Sequence, residues 1–180
     1  MGRRSTTNGK LTLEHIPLED IRCAYVRIEE GLHEITKKTY ADWIPADVYA
    51  SLKAGTSDLH IGYIKDEYAG FMVTSFTTDS GGEPVLFIWT GYQRPGYYFM
   101  EEAFRIMDKI AEEFNTTAIE FSSSRNGWKK IAKNLGYEMV TQLYRKEVYM
   151  GSLFGKPSQA DYDAGPAAKA SAATAKFDYE

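Results

Sequence analysis

The chain has 180 residues, 43% of them hydrophobic and 14% aromatic, which suits one compact domain of about 150 residues with an appendage. A formal net charge of −4 excludes the broad basic face of a general nucleic-acid binder. The single cysteine, Cys23, excludes an internal disulfide, so a cytoplasmic setting is expected. No apolar stretch approaches the ~18 residues of a membrane span, so no membrane partner is expected.

After a polar arm over 1–10, expected to be flexible, alternation of Leu11 and Leu13 with Thr12 and Glu14 predicts a first strand. Pro17-Leu18-Glu19-Asp20 opens a helix whose apolar residues Ile21, Ala24, Ile28, Leu32 and Ile35 recur at helical spacing as far as about Lys38. A shorter helix restarts at Asp42-Trp43-Ile44-Pro45 and stops at Gly55. Three antiparallel strands follow: one through Leu59, Ile61 and Tyr63, one from Tyr68 to Thr78, and the apolar run Val85-Leu86-Phe87-Ile88-Trp89. Lys65-Asp66-Glu67 and Asp79 to Pro84 are their turns. A further turn, Gly91 to Gly96, feeds a long amphipathic helix from Tyr97 to Phe114.

Ala118-Ile119-Glu120-Phe121 is then a short strand, placed parallel to the Val85 run by the helical crossover. A last helix spans Trp128 to Leu135, and Tyr137 to Val140 with Leu143 to Tyr149 is expected to finish the sheet. From Gly151 the composition turns rich in alanine, glycine, serine and lysine, which predicts a low-complexity tail over 151–180. Its apolar ends, Leu153-Phe154 and Phe177 with Tyr179, are candidate partner contacts. His15, His33 and His60 show no ligand-like spacing, so no metal site is expected. Arg125, Lys129, Lys130 and Lys133 read as a solvated helix face.

The element order, the strand-turn-helix at Gln93 to Tyr98 and the ending Leu135-Gly136-Tyr137 together resemble the GNAT superfamily of acyl-CoA N-acyltransferases. Asp42-Trp43-Ile44-Pro45 to Tyr49 and Ser124 to Trp128 resemble the GNAT-type proteins of tailed bacteriophages. The resemblance implies an α/β (α+β) fold over 11–150: a mixed, mostly antiparallel sheet of six to seven strands with helices on both faces. It also implies a cofactor loop of Gln or Arg, two residues, Gly, one residue, then Gly or Ala, whose amides cradle the coenzyme A pyrophosphate. Gln93 and Gly96 match that loop. With Arg94, Tyr97, Tyr98, Arg125 and Asn126 they form the candidate cofactor set.

Two departures weaken phosphate binding: Pro95 has no N–H, and Tyr98 stands where a glycine or alanine is expected. Where many members carry a tyrosine that protonates the leaving thiolate, this chain has Ala132. Glu83 and Glu120 are the candidate general bases. As a plain strand residue, Glu120 also suits a solvent-facing carboxylate.

Two functions are therefore expected to compete. In the first the chain is a structural virion component (internal, connector or tail assembly) with weak or no catalysis and no cofactor, found in the virion and host cytoplasm. Its tail would grip other virion subunits or further copies of itself. In the alternative it is an N-acetyltransferase acting on an amine, with acetyl-CoA or CoA as cofactor.

Overall fold

The computed structural model describes residues 10–144. The chain divides after Glu138 into two units, Met1–Glu138 and Met139–Glu180. The N-terminal arm, the 151–180 tail with Leu153, Phe154, Phe177 and Tyr179, and the end of the expected last strand lie outside the described residues.

In the first unit the order is β1 (Leu11–Ile16), α1 (Ile21–Lys38) after a 3-10 turn, α2 (Pro45–Ala54), β2 (Asp58–Ile64), β3 (Glu67–Thr78), β4 (Pro84–Gln93), α3 (Met100–Glu113), β5 (Ala118–Phe121) and α4 (Trp128–Asn134). The sheet runs β1-β2-β3-β4-β5. Its first three pairings are antiparallel and β4 with β5 is parallel. Among the described residues the sheet thus has five strands, not the six to seven expected, because Tyr137 to Tyr144 form no ladder. No helix among them is long and apolar enough to cross a membrane.

Alternation of side chains along the strands divides the core in two. Phe71 and Val73 face Ile28 and Leu32 of α1 and Val48 and Leu52 of α2. Their neighbour Met72 faces Ala103, Phe104 and Met107 of α3 on the other side. Helices therefore cover both faces, as the GNAT resemblance implies. The local reasons are ordinary. Pro45 opens α2, the Asp47 carboxylate accepts the Ile44 N–H at 2.9 Å, and Gly55 at φ +68° closes it. In α1, Lys37 and Lys38 complement the C-terminal end of the helix dipole.

Two bulges shape the central strands. Gly62 pairs with Gly70 and Tyr63 with Tyr68, so Ala69 is the extra residue of β3; Val73 pairs with Thr90 and Thr74 with Ile88, so Trp89 is the extra residue of β4. Close packing occurs where side chains are missing. A Cβ on Gly31 would lie 2.7 Å from Phe71 and 2.8 Å from Tyr92, so glycine is what lets α1 reach the sheet there.

The antiparallel register also makes His15 and His60 cross-strand partners, with rings 5.5 Å apart. The buried His60 Nε2 meets Thr74 Oγ1 at 3.0 Å, while the exposed His15 Nε2 meets Asp58 Oδ1 at 3.0 Å. Burial, with a push from His15, lowers the His60 pKa to about 4, and Asp58 opposes only partly. The folded protein thus holds His60 neutral, whereas the unfolded chain protonates it near its ordinary value. Stability from this residue is complete above about pH 6.5 and is lost as pH falls toward 4. Urea unfolding at about pH 7.5 and about pH 5 should show a loss of about 2 kcal/mol from this residue. A His60→Gln variant should lack that increment, and an equal slope in both proteins would place the proton elsewhere.

Candidate functional site

The site is built on β4. Its apolar run pairs with β5 from Val85 opposite Ala118 to Ile88 opposite Phe121, and there β5 ends. β4 continues through Trp89 to Gln93, still paired to β3, so the expected turn at Gly91 to Gly96 starts three residues later. Among the described residues nothing pairs with β4 on the β5 side beyond Ile88. The bulge at Trp89 lies where the opening begins, and Trp89 packs edge-on to Trp43, ring centres 6.2 Å apart. On the other face Phe104, Phe121, Trp128 and Tyr137 form an aromatic group that joins β5 to α3 and α4. Within it the Tyr137 hydroxyl is buried without a protein partner, and burial together with Asp108 pushes its pKa up to about 12.

The turn after β4 closes on the chain itself. Pro95 and Gly96 occupy its centre, Gly96 at φ +91°, and the Tyr97 N–H reaches the Arg94 carbonyl at 3.2 Å, the signature of a type II turn. A Cβ on Gly96 would touch nothing within 4 Å, so the backbone angle and not close approach requires glycine there. The Arg94 N–H donates to the carbonyl of the bulged Ala69 at 2.8 Å, and its Nη1 donates to the Tyr68 carbonyl at 2.9 Å. Its guanidinium lies 5.8 Å from the Tyr68 ring centre and 5.7 Å from that of Tyr97. The Tyr97 hydroxyl donates to Glu67 Oε2 at 2.6 Å, which raises the tyrosine's pKa. Arg94 and Tyr97 are thereby fastened to the start of β3.

α3 begins at Met100, not at Tyr97, because Tyr97 to Phe99 are used in this closure. The Gln93 side chain reaches across it: Oε1 accepts the N–H of Phe99 at 2.8 Å and of Met100 at 3.1 Å. Tyr98 is 54% exposed and projects from the loop, where a small residue would leave room for a ligand.

The other candidates are dispersed. Arg125 and Asn126 are exposed, and their carbonyls accept the N–H groups of Trp128 and Lys129 at 3.1 and 3.3 Å, forming the turn into α4. Arg125 is close enough to Lys38 to oppose its charge, against the stronger hold of Glu34. Glu120 is exposed in β5 opposite Phe87. Glu83 precedes β4 at the end away from the opening, where its N–H donates to Asp79 Oδ1 at 2.9 Å. These two carboxylates are not brought together. The Ala132 carbonyl accepts the Tyr137 N–H at 2.9 Å and helps to end α4. The sequence does not tie Glu67, Tyr68 or Phe99 to the site: Glu67 reads as part of a polar turn, Tyr68 as the start of a strand and Phe99 as a core-facing apolar residue, and the partner of Glu67 lies 30 residues away.

No family model matches the sequence, and no curated protein matches it. Solved structures do match. A ribosomal-protein-alanine N-acetyltransferase from Brucella melitensis aligns at 11% identity over 77% of this chain and 100% of its own, TM-score 0.58. A possible acetyltransferase from Clostridium difficile aligns at 14% identity over 77% and 98%, TM-score 0.57. An aminoglycoside N-acetyltransferase in complex with CoA aligns at 16% identity over 78% and 97%, TM-score 0.56. At such identities the likeness concerns the fold: this chain has the GNAT fold, shared with two acetyltransferases and a possible third.

Proposed function

We propose that this protein uses the GNAT fold as a rigid assembly block with weak or no transferase chemistry. The observation that carries the reading is the fastening of the β4–α3 turn to β3, with Arg94 held between the Tyr68 and Tyr97 rings and Tyr97 bound to Glu67. Side chains expected to face a cofactor are spent on holding the loop, which suits a part under load better than a cradle that must admit a ligand. In its finer form the block is a phage virion component gripped through residues 151–180, a reading supported by the sequence resemblance of Asp42 to Tyr49 and Ser124 to Trp128.

A second reading, an acetyl-CoA-dependent N-acetyltransferase acting on an amine, is favoured by one feature, the opening between β4 and β5 past Ile88 and Phe121. An extended ligand could add to the uncovered β4 edge there as a further strand does. Calorimetric titration of the full chain with acetyl-CoA and CoA separates the two. The assembly block should give no saturable heat up to about millimolar ligand. Binding at micromolar strength, about −8 kcal/mol, would sink it in favour of the transferase.

A further inference from the structure

The N-terminus of α3 is where this fold would place the diphosphate of coenzyme A, because first-turn amides lack intrahelical partners and attract anions. In this chain two of them are already engaged. The amides of Phe99 and Met100 converge on one atom, Gln93 Oε1, at 2.8 and 3.1 Å. The Ala103 N–H has entered the helix, donating to the Phe99 carbonyl at 2.9 Å. Upstream, the Arg94 and Tyr97 amides donate to the carbonyls of Ala69 and Arg94, and Pro95 has nothing to donate. Glu101 and Glu102 occupy the first turn, so the helix dipole meets carboxylates that would repel a phosphate.

We infer that the Gln93 carboxamide is the resident occupant of the α3 N-terminus and excludes a coenzyme A diphosphate from it. The residues present do not fit that group. Gln93 matches the first position of the cofactor loop by type and serves here as the helix cap, a role that Phe99 at the cap position cannot fill with its own side chain. This deepens the proposed function, on which it rests, by naming the residue that closes the site.

The test is amide hydrogen exchange and chemical-shift mapping on the full chain, with coenzyme A and with inorganic pyrophosphate. The Phe99 and Met100 amides should be protected in the native protein and unmoved by either compound. Gln93→Ala should speed their exchange about tenfold, the loss of one hydrogen-bond acceptor. Gln93→Glu keeps the acceptor oxygen and should keep the protection, which guards against a variant that merely unfolds. Shifts at these two amides on adding either compound, or unchanged exchange in Gln93→Ala, would overturn the inference. Coenzyme A heat with both amides silent would leave it standing while removing the assembly-block reading.

Discussion

Gly70→Ala should leave no stably folded protein. At this position β3 passes so close to β4 that an added Cβ would sit 2.0 Å from the backbone oxygen of Tyr92 and 2.7 Å from the Phe99 ring, with φ at +158°. The ring could turn aside, but the carbonyl could not, because it belongs to a strand paired on β3 at Phe71 opposite Tyr92. Separating the strands would break the ladder on which the whole site stands. The expected loss is about 4 kcal/mol or more, a large part of a domain's total stability. Circular dichroism and urea unfolding of the purified variant would check it. A cooperative transition within about 1 kcal/mol of the native one would show that the strands can part there.

Phe99→Ala should cost about 3–5 kcal/mol, the range for emptying a large aromatic site in a core. Phe99 is 1% exposed, and its ring lies over the glycine pair of β2 and β3, 3.5 Å from a Cβ built on Gly62. The missing side chains of Gly62 and Gly70 make the hollow, and the ring fills it from the residue just before α3. The variant should also loosen the Gln93 cap, since Phe99 supplies one of the two amides it holds. Combining it with Gly70→Ala should not rescue the latter, because the contact with the Tyr92 oxygen remains. Urea unfolding of both variants and their combination gives the answer; rescue would mean that the ring, not the backbone, makes Gly70 necessary.

The elements could be read from the sequence wherever one face is buried in a regular period. α1 follows its three- and four-residue spacing, and the parallel β5 was implied by a helical crossover from β4. At the end of β4, Gly91 and Pro95 look like punctuation in the sequence, while pairing to β3 keeps the strand extended to Gln93. Tertiary pairing won over local turn chemistry. The site is legible in part: Gln93, Gly96 and Tyr98 stand out in the sequence as the loop's distinctive positions. What they do was not legible, because it depends on contacts between residues far apart, such as Tyr97 with Glu67 and Arg94 with Ala69. The meeting of His15 and His60 needed the β1–β2 register, which no spacing in the sequence displays.

The two short connections in the sheet make its middle the cheapest part to assemble. β2 and β3 are joined through Lys65 and Asp66 alone, both at positive φ, and β3 and β4 through residues 79–83. Bringing β1 to β2 instead closes a loop of about 40 residues that contains two helices, about 2 kcal/mol more in chain entropy than the 79–83 connection. The three-stranded meander is thus a template to which β1, α3 and β5 are added from outside. The Arg94 amide on the Ala69 carbonyl is the first bond beyond it, so the chain reaches the turn with its direction already set.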